Sequence, residues 1–317
     1  MEKSSKTNET NQPIESNESN ESNESNESNE SNEKKESPVF ILIDTSYWIF
    51  YRYFAIMQWW KHANTDVELF EDPYETPEFV EKFTKTFLDS INTFKKKHKL
   101  HKQRSKPATP TQVIACRDCP RGDIWRNKYY EDYKANRTKD DSFMGGPFFK
   151  HVYKDNNKLL FEAGVDQVLQ FPNLEGDDII AITKIIIRSR HPDATIYIIA
   201  NDHDYLQIID DNTHIINFQY KNLEDSKKVF PEAEKNLFYK IVLGDKSDNI
   251  MPVFKKCGPK TCEKYYNDRE LFGEALLKEP GSGEKYLLNK TLVSFTEIPK
   301  DLINGFLQDN REFILGL

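Results

Sequence analysis

Asn173-Leu174-Glu175-Gly176-Asp177-Asp178-Ile179-Ile180-Ala181 decides how the rest of the chain is read. It places three carboxylates within four positions, immediately ahead of an apolar run at helical spacing: Ile179, Ile180, Ile182, Ile185 and Ile186. That pattern predicts the first turn of a buried helix, with Asn173 as its N-cap. Acids suit the positive end of a helix dipole, so a capped helix start accounts for them without any chemistry. The remainder of the chain favours more than that, because it supplies further acids in matching settings.

Val39-Phe40-Ile41-Leu42-Ile43 reads as a strand buried on both faces, as in a parallel sheet, and Asp44 stands at its end. A second strand, Gln112 to Cys116, is followed by Asp118. A third, Ala194 to Ala200, is followed by Asp202 and Asp204. Val168-Leu169 and Thr213 to Phe218 add weaker strands, and the turn Gly244-Asp245-Lys246-Ser247-Asp248-Asn249-Ile250 brings two more carboxylates. Helices are predicted between them: the aromatic segment from Tyr47 to Phe54, Phe79 to Lys97, Phe148 to Phe161 and Pro231 to Leu243. Strands alternating with helices imply an α/β fold with a mainly parallel sheet, and the chain from Gly258 on reads as mostly helical.

Residues 1–37 are low-complexity, with a Glu-Ser-Asn triplet repeated from Glu15, and are expected to be disordered. Ten Glu and four Lys in that stretch account for most of the net charge of −8. From Pro38 the chain has 40 Lys/Arg against 42 Asp/Glu, so an acidic total does not exclude a phosphate-rich partner. The N-terminus carries no secretory signal, and no apolar run reaches the ~18 residues of a membrane span. An intracellular, reducing setting is expected, because four cysteines in a chain this long do not form a disulfide framework. Cys116 and Cys119 form a Cys-x-x-Cys, for which Cys257 and Cys262 are the available further zinc ligands; strand packing and a turn explain the pair better. Arg121 to Arg137 interleaves cations with rings, either as a surface helix or as a surface for phosphates and bases. The basic stretch Lys95 to Lys106 reads as a solvated helix end and loop.

Asp44, Asp118, Glu175, Asp177, Asp178, Asp202, Asp204, Asp245 and Asp248 mostly follow a strand or open a helix beside one. The sheet therefore brings them to one edge, where they repel unless cations neutralise them. So many oxygen ligands suit two divalent cations, and that chemistry serves a phosphodiester. No P-loop, His-Glu-x-x-His or Gly-x-Ser-x-Gly competes.

From about Phe40 to Pro299 the chain resembles the 5′-nuclease superfamily, which includes flap endonucleases, the 5′-nuclease domain of bacterial DNA polymerase I, and phage 5′-exonucleases and RNases H. The likeness is carried by Ile43-Asp44; by Asp118 with Trp125-Arg126 and Tyr133-Lys134-Ala135-Asn136-Arg137; and by Glu175-Gly176-Asp177-Asp178. It continues in Asp202-His203-Asp204 with Leu206-Gln207, and in Gly244 to Ile250 followed by Gly258-Pro259-Lys260-Thr261. Gly176 stands where the family usually has alanine, and the loop Met251 to Cys257 is one residue longer than usual, lacks its glycines and gains Lys255 and Lys256.

The resemblance implies a PIN-like α/β nuclease core over 38–230 with a helical gateway near 121–160, and a helical region over 231–317 with a helix–turn–helix (helix-hairpin-helix) duplex grip. It implies one Mg²⁺ or Mn²⁺ held through Asp44, Asp118, Glu175 and Asp177, and a second through Asp202, Asp204 and Asp248, with Asp177 reaching both. Asp178 and Asp245 would support these ligands from behind, and a K⁺ would sit in the duplex-binding turn. Lys134 and Arg137 would face the scissile phosphate, and Arg126, Lys255, Lys256, Gly258 and Lys260 would contact DNA. The implied activity is structure-specific 5′-3′ exonuclease or flap endonuclease hydrolysis of DNA or RNA-primed DNA in replication or repair, leaving a 5′-phosphate and a 3′-hydroxyl. The expected partners are DNA with a 5′ flap, nick or RNA primer, with no membrane and a monomeric protein. A PIN-type endoribonuclease and a non-catalytic DNA-junction-binding protein are the alternatives.

Overall fold

A run such as Val-Phe-Ile-Leu-Ile is stable as a strand only where both faces are covered, and Val39–Asp44 (β1) is the central strand of a five-stranded parallel sheet. The computed structural model describes residues 37–63, 72–100, 110–137 and 143–317. The disorder expected for 1–37 lies outside them but for Ser37, as do residues 101–106 of the basic stretch and 138–142 of the gateway region. In chain order the elements are β1, Thr45–Ala63 (α1), Pro77–Lys97 (α2), Thr111–Cys116 (β2), Gly146–Glu162 (α3), Gln167–Leu169 (β3) and Gly176–Arg190 (α4). Thr195–Ile199 (β4), Thr213–Ile216 (β5) and Ala233–Leu243 (α5) follow. The chain then continues through Pro259–Asn267 (α6), Arg269–Lys278 (α7), Ser282–Val293 (α8), Lys300–Asp309 (α9) and Arg311–Gly316 (α10).

Strand order is β3-β2-β1-β4-β5. The chain builds outward from β1 through β2 and β3, then crosses back to place β4 and β5 on the other side. Order therefore reverses between β1 and β4, and α/β sheets open a crevice at the carboxyl ends of strands at such a point. Ile43 is in register with Ala115 of β2 and Ile199 of β4, so the three strands end together.

Alternation along β1 separates two cores. Val39, Ile41 and Ile43 pack with Trp48, Phe83, Phe87 and Phe148 from α1–α3. Phe40 and Leu42 pack with Ile179 and Ile180 of α4, Ile198 of β4 and Phe306 of α9. Leu42 is wholly buried, and truncating it to Ala would cost about 2–5 kcal/mol. Helices α5–α8 close over a smaller core of Phe238, Val242, Val253, Phe254, Cys262 and Phe272.

Four local expectations are corrected. Arg121–Asp123 and Trp125–Lys128 are short 3₁₀ turns, not part of a surface helix, because Trp125 and Arg126 turn inward and are buried. Asn173 is not the N-cap of α4: it has φ 68° and its side chain donates to the Asp123 carbonyl, while Glu175 caps the helix. Ile185 faces solvent at 61% exposure, on the side of α4 away from the sheet. Helix α3 is interrupted at Lys154–Asn157, where Asp155, Asn156 and Asn157 take left-handed backbone angles that Asp and Asn tolerate better than other residues with a side chain. The four cysteines are unpaired, and neither candidate ligand cluster among the described residues contains one. None of the described helices is long and apolar enough to cross a membrane.

Candidate metal centre

Each acid reaches the crevice by its own route. Asp44 ends β1, and its Oδ1 accepts the Tyr47 amide at 2.9 Å, capping the first turn of α1. The Tyr205 hydroxyl donates to its other oxygen at 3.4 Å. Asp118 follows β2 and accepts the Ser46 hydroxyl at 2.5 Å and the Gly176 amide at 2.6 Å. A Cβ at Gly176 would lie 3.1 Å from Asp118 Oδ1 and 3.3 Å from the Cys116 carbonyl, so glycine lets the start of α4 press against that carboxylate. Glu175 and Asp178 form a reciprocal capping box, and Asp177 lies between them with its Oδ1 on the Asp178 amide at 2.7 Å.

Asp202 and Asp204 follow β4, and Asp202 accepts the Asp204 amide at 2.9 Å. Asp245 and Asp248 are set by a tight turn closed by paired backbone bonds between Asp245 and Ile250 at 2.9 and 2.7 Å. Gly244 makes that turn possible: its φ is +72°, and a Cβ would sit 2.5 Å from the Ile250 carbonyl oxygen.

Carboxylate oxygens of Glu175, Asp177 and Asp178 gather within 4.8 Å of one another, and so do those of Asp204, Asp245 and Asp248. Lys134 spans the two groups, its Nζ 2.5 Å from Glu175 and 3.8 Å from Asp248. A cavity of about 990 Å³ opens over Asp44, Asp118, Glu175, Asp177 and Asp202 and is also lined by Lys134, Arg137 and the rings of Tyr47, Phe50, Phe54 and Phe143. A second, of about 400 Å³, lies over Asp202, Lys240, Asp245 and Ser247.

The charges are balanced more closely than the sequence suggests. Four basic side chains reach into the acids. Arg126 pairs bidentately with Asp178 at 2.7 and 2.9 Å and with Glu175 at 2.9 Å. Arg137 pairs with Asp248. Lys240, from the last turn of α5, pairs with Asp204, lies 2.8 Å from Asp245 and 4.0 Å from Asp202. The cations that the acids need are thus supplied in large part by the chain itself.

Asp44, Asp118 and Asp177 have no ion-pair partner among the described residues. Burial, then the neighbouring carboxylates of Asp118 and Asp202, push Asp44 up to about 7. Burial and the charges of Glu175 and Asp178 push Asp177 well above the usual carboxylate range. Glu175 goes the other way: burial opposes ionisation, but Lys134 and Arg126 hold its carboxyl below that range. For Asp245 burial is likewise outweighed, and the Lys240 ammonium brings it down to about 2.

One assignment read from the sequence changes. Arg126 is 1% exposed and wholly engaged with Glu175, Asp178 and the Leu292 carbonyl, so it cannot meet a DNA phosphate. Asp178, which the resemblance puts behind the ligands, is fully buried, with both oxygens on Arg126 and one on the Trp125 indole N–H at 2.9 Å. Lys134 and Arg137 line the large cavity, with Lys134 held in left-handed backbone by a bond from its amide to the Asp248 carbonyl at 2.9 Å. Lys255, Lys256, Gly258 and Lys260 are exposed around the start of α6 and line neither cavity. Sequence reasoning missed Lys240, along with Ser46 and Tyr205 beside Asp118 and Asp44. The signal for Lys240 was its place five residues before Asp245, in the last turn of a helix that ends at the acidic turn.

The family model for the 5′-3′ exonuclease, N-terminal resolvase-like domain, matches residues 39–235. A 5′-3′ exonuclease of Mycoplasmopsis pulmonis is 31% identical over 136 residues, 41% of this chain and 42% of that protein. A 5′-3′ exonuclease of Bacillus subtilis is 28% identical over 177 residues, 53% of this chain and 55% of that protein. The match thus spans about half the length of these curated relatives. Among solved structures, the bacteriophage T5 flap endonuclease in a pseudo-enzyme-product complex with DNA and metal ions superposes with a TM-score of 0.57 at 16% identity, covering 87% of this chain and 98% of that one. At that identity the likeness establishes the fold.

Proposed function

The chain belongs to the 5′-3′ exonuclease family defined by that N-terminal domain, and from this premise we propose that it is a divalent-metal-dependent, structure-specific 5′-nuclease acting on DNA or RNA-primed DNA. One observation carries the reading. Asp44, Asp118 and Asp177, carboxylates with no ion-pair partner among the described residues, face a cavity of about 990 Å³ that is also lined by Lys134, Arg137 and aromatic rings. An all-oxygen donor set with one member pushed up to about 7 by burial and by neighbouring carboxylates fits a hard cation such as Mg²⁺ or Mn²⁺.

Asp44, Asp118, Glu175 and Asp177 would hold one ion, and Asp202, Asp204 and Asp248 a second. Bound there, the ions supply the charge that activates water and stabilises a leaving phosphodiester oxygen. The protein's own residues do the rest. Arg137, half exposed, offers fixed positive charge to a phosphate entering the cavity, and Lys134 does so from beneath it. Phe50 and Phe54, both partly exposed, offer rings on which an unpaired 5′-terminal base stacks. The Lys255-Lys256-Gly258-Lys260 surface grips duplex backbone without reading sequence, and a K⁺ in its turn belongs to the same reading. The core over 38–230 then cuts and the region over 231–317 holds a nick, flap or primer end, in a monomeric intracellular protein whose first 37 residues are dispensable for cleavage.

A panel of 5′-flap, nicked, RNA-primed and single-stranded substrates in Mg²⁺, with product ends mapped, tests this. Cleavage should follow a 5′ end at a junction, leave a 5′-phosphate, and fall about 10²-fold or more in Asp177→Asn while flap binding persists. Asp177→Asn turnover equal to wild type, or cutting confined to single-stranded RNA, would overturn it.

A further inference from the structure

Lys240 is a basic residue of this centre to which the reading above gives no task. Lysine in the last turn of a helix ordinarily turns to the helix's own carbonyls or to solvent. This one is only 17% exposed and extends into the acids, where its ammonium meets the Asp204 carboxylate, lies 2.8 Å from Asp245 Oδ2 and 4.0 Å from Asp202 Oδ1. Its partner Asp204 Oδ1 is buried and makes no hydrogen bond to any other group among the described residues. Asp202 and Asp204 are also residues assigned to the second ion, and Asp245 shares the oxygen cluster with Asp204 and Asp248.

We propose that Lys240 is an intramolecular counter-cation that occupies the second divalent site and must withdraw before an ion can enter it. The inference rests on the metal reading proposed above. A Mg²⁺ or Mn²⁺ ion binds carboxylate oxygen at about 2.0–2.2 Å, a position that an ammonium touching the same oxygens excludes. Like charges also repel strongly at that range in a partly desolvated site. The side chain has somewhere to go: the cavity of about 400 Å³ lined by Asn201, Asp202, His203 and Ser247 adjoins it. Of the two other cations near Asp248, Lys134 stays on Glu175, and Arg137 is 49% exposed on its side chain. At the first site only Glu175 is paired, with Lys134 and Arg126, while Asp44, Asp118 and Asp177 have no ion-pair partner among the described residues and no ammonium touches them. The two sites therefore fill in order, and Lys240 sets the interval between them. Ion entry adds the ion's charge while the displaced ammonium stays nearby, so ion entry and phosphate binding favour each other.

The experiment is Mn²⁺ titration of the full chain without DNA, reading free Mn²⁺ by electron paramagnetic resonance, for wild type, Lys240→Met, Lys240→Gln and Lys240→Arg, with circular dichroism confirming the fold of each. Wild type should show a tight and a weak class of site. The two neutral variants should tighten the weak class by about tenfold or more while leaving the tight class within about twofold, and Lys240→Arg should stay near wild type. Weak-class affinity that is unchanged or reduced in both neutral variants would overturn the proposal while leaving the metal reading intact. Absence of any Mn²⁺ binding that Asp177→Asn diminishes would instead sink the metal reading, and this inference with it. Because the readout is ion affinity in the absence of substrate, a merely structural lysine would not move the weak class alone.

Discussion

Arg126→Met should cost stability, not DNA affinity. The guanidinium is 1% exposed, donates three bonds of 2.7–2.9 Å to Asp178 and Glu175 and a fourth to the Leu292 carbonyl at 2.8 Å, and lies 4.5 Å from the centre of the Trp125 ring. Methionine fills most of the space of the arginine stem, so the cavity contribution is small. What remains is a buried carboxylate pair that has lost its main cation. Removing one partner of such a pair costs about 3–5 kcal/mol, chiefly through the charge left behind. Glu175 keeps Lys134 at 2.5 Å, so the loss concentrates on Asp178 and the lower end, ~3 kcal/mol, applies. With a urea dependence of roughly 3 kcal/mol per M for a chain of this size, the midpoint should fall by about 1 M. The assay is equilibrium urea unfolding in EDTA, followed by the fluorescence of tryptophans including buried Trp125 and by circular dichroism. A cycle with Asp178→Asn should be strongly non-additive, since the two changes disrupt the same pair. A midpoint within about 0.2 M of wild type, together with weaker DNA binding and a shallower salt dependence, would refute the reasoning and return Arg126 to the DNA surface.

Asp44 predicts a pH effect of defined sign. Its carboxyl titrates near 7 in the folded protein against about 3.9 unfolded, so between those values the native state holds the extra proton and metal-free stability falls as pH rises. Comparing wild type with Asp44→Asn in EDTA from pH 4.5 to 7.5 isolates that slope from the histidines; identical slopes would contradict it. Lys260→Ala should weaken duplex binding and reduce the slope of log affinity against log salt by about one, and an unaltered slope would remove that lysine from the phosphate contacts.

The sheet and its acids were legible because both depend on short-range pattern. An unbroken apolar strand such as Val39–Ile43 must lie between two helical layers, and a residue directly after such a strand must emerge at the sheet edge. That placed Asp44, Asp118, Asp202 and Asp204 at one edge without any knowledge of pairing. Local geometry was less legible where one buried contact overrode propensity. The stretch Arg121–Arg137 has the composition of a surface helix, yet Trp125 and Arg126 are drawn under the sheet edge by Asp178, and the backbone follows in short turns. Asn173 is a good N-cap by type, but the reciprocal bonds of Glu175 and Asp178 start the helix two residues later.

The cations of the centre were the least legible part, and the reason is physical. A carboxylate is short and lies where its backbone puts it, so strand ends locate acids. A lysine or arginine reaches several ångströms from its Cα, and its destination is set by which acid it can neutralise at least desolvation cost. Lys134, Arg137 and Lys240 come from a turn, a turn and a helix end, and converge on acids from two different oxygen clusters. The consequence bears on how the centre works. Acids alone would make a site whose empty state is held apart by repulsion and whose ions bind with equal urgency. Acids interleaved with basic side chains make a site that is compact before any ion arrives, with some carboxylates left bare and others already answered. Unequal ion affinity then follows from which acids a long basic side chain can reach, and Asp44, Asp118 and Asp177 are the ones that none of the described basic residues pairs with.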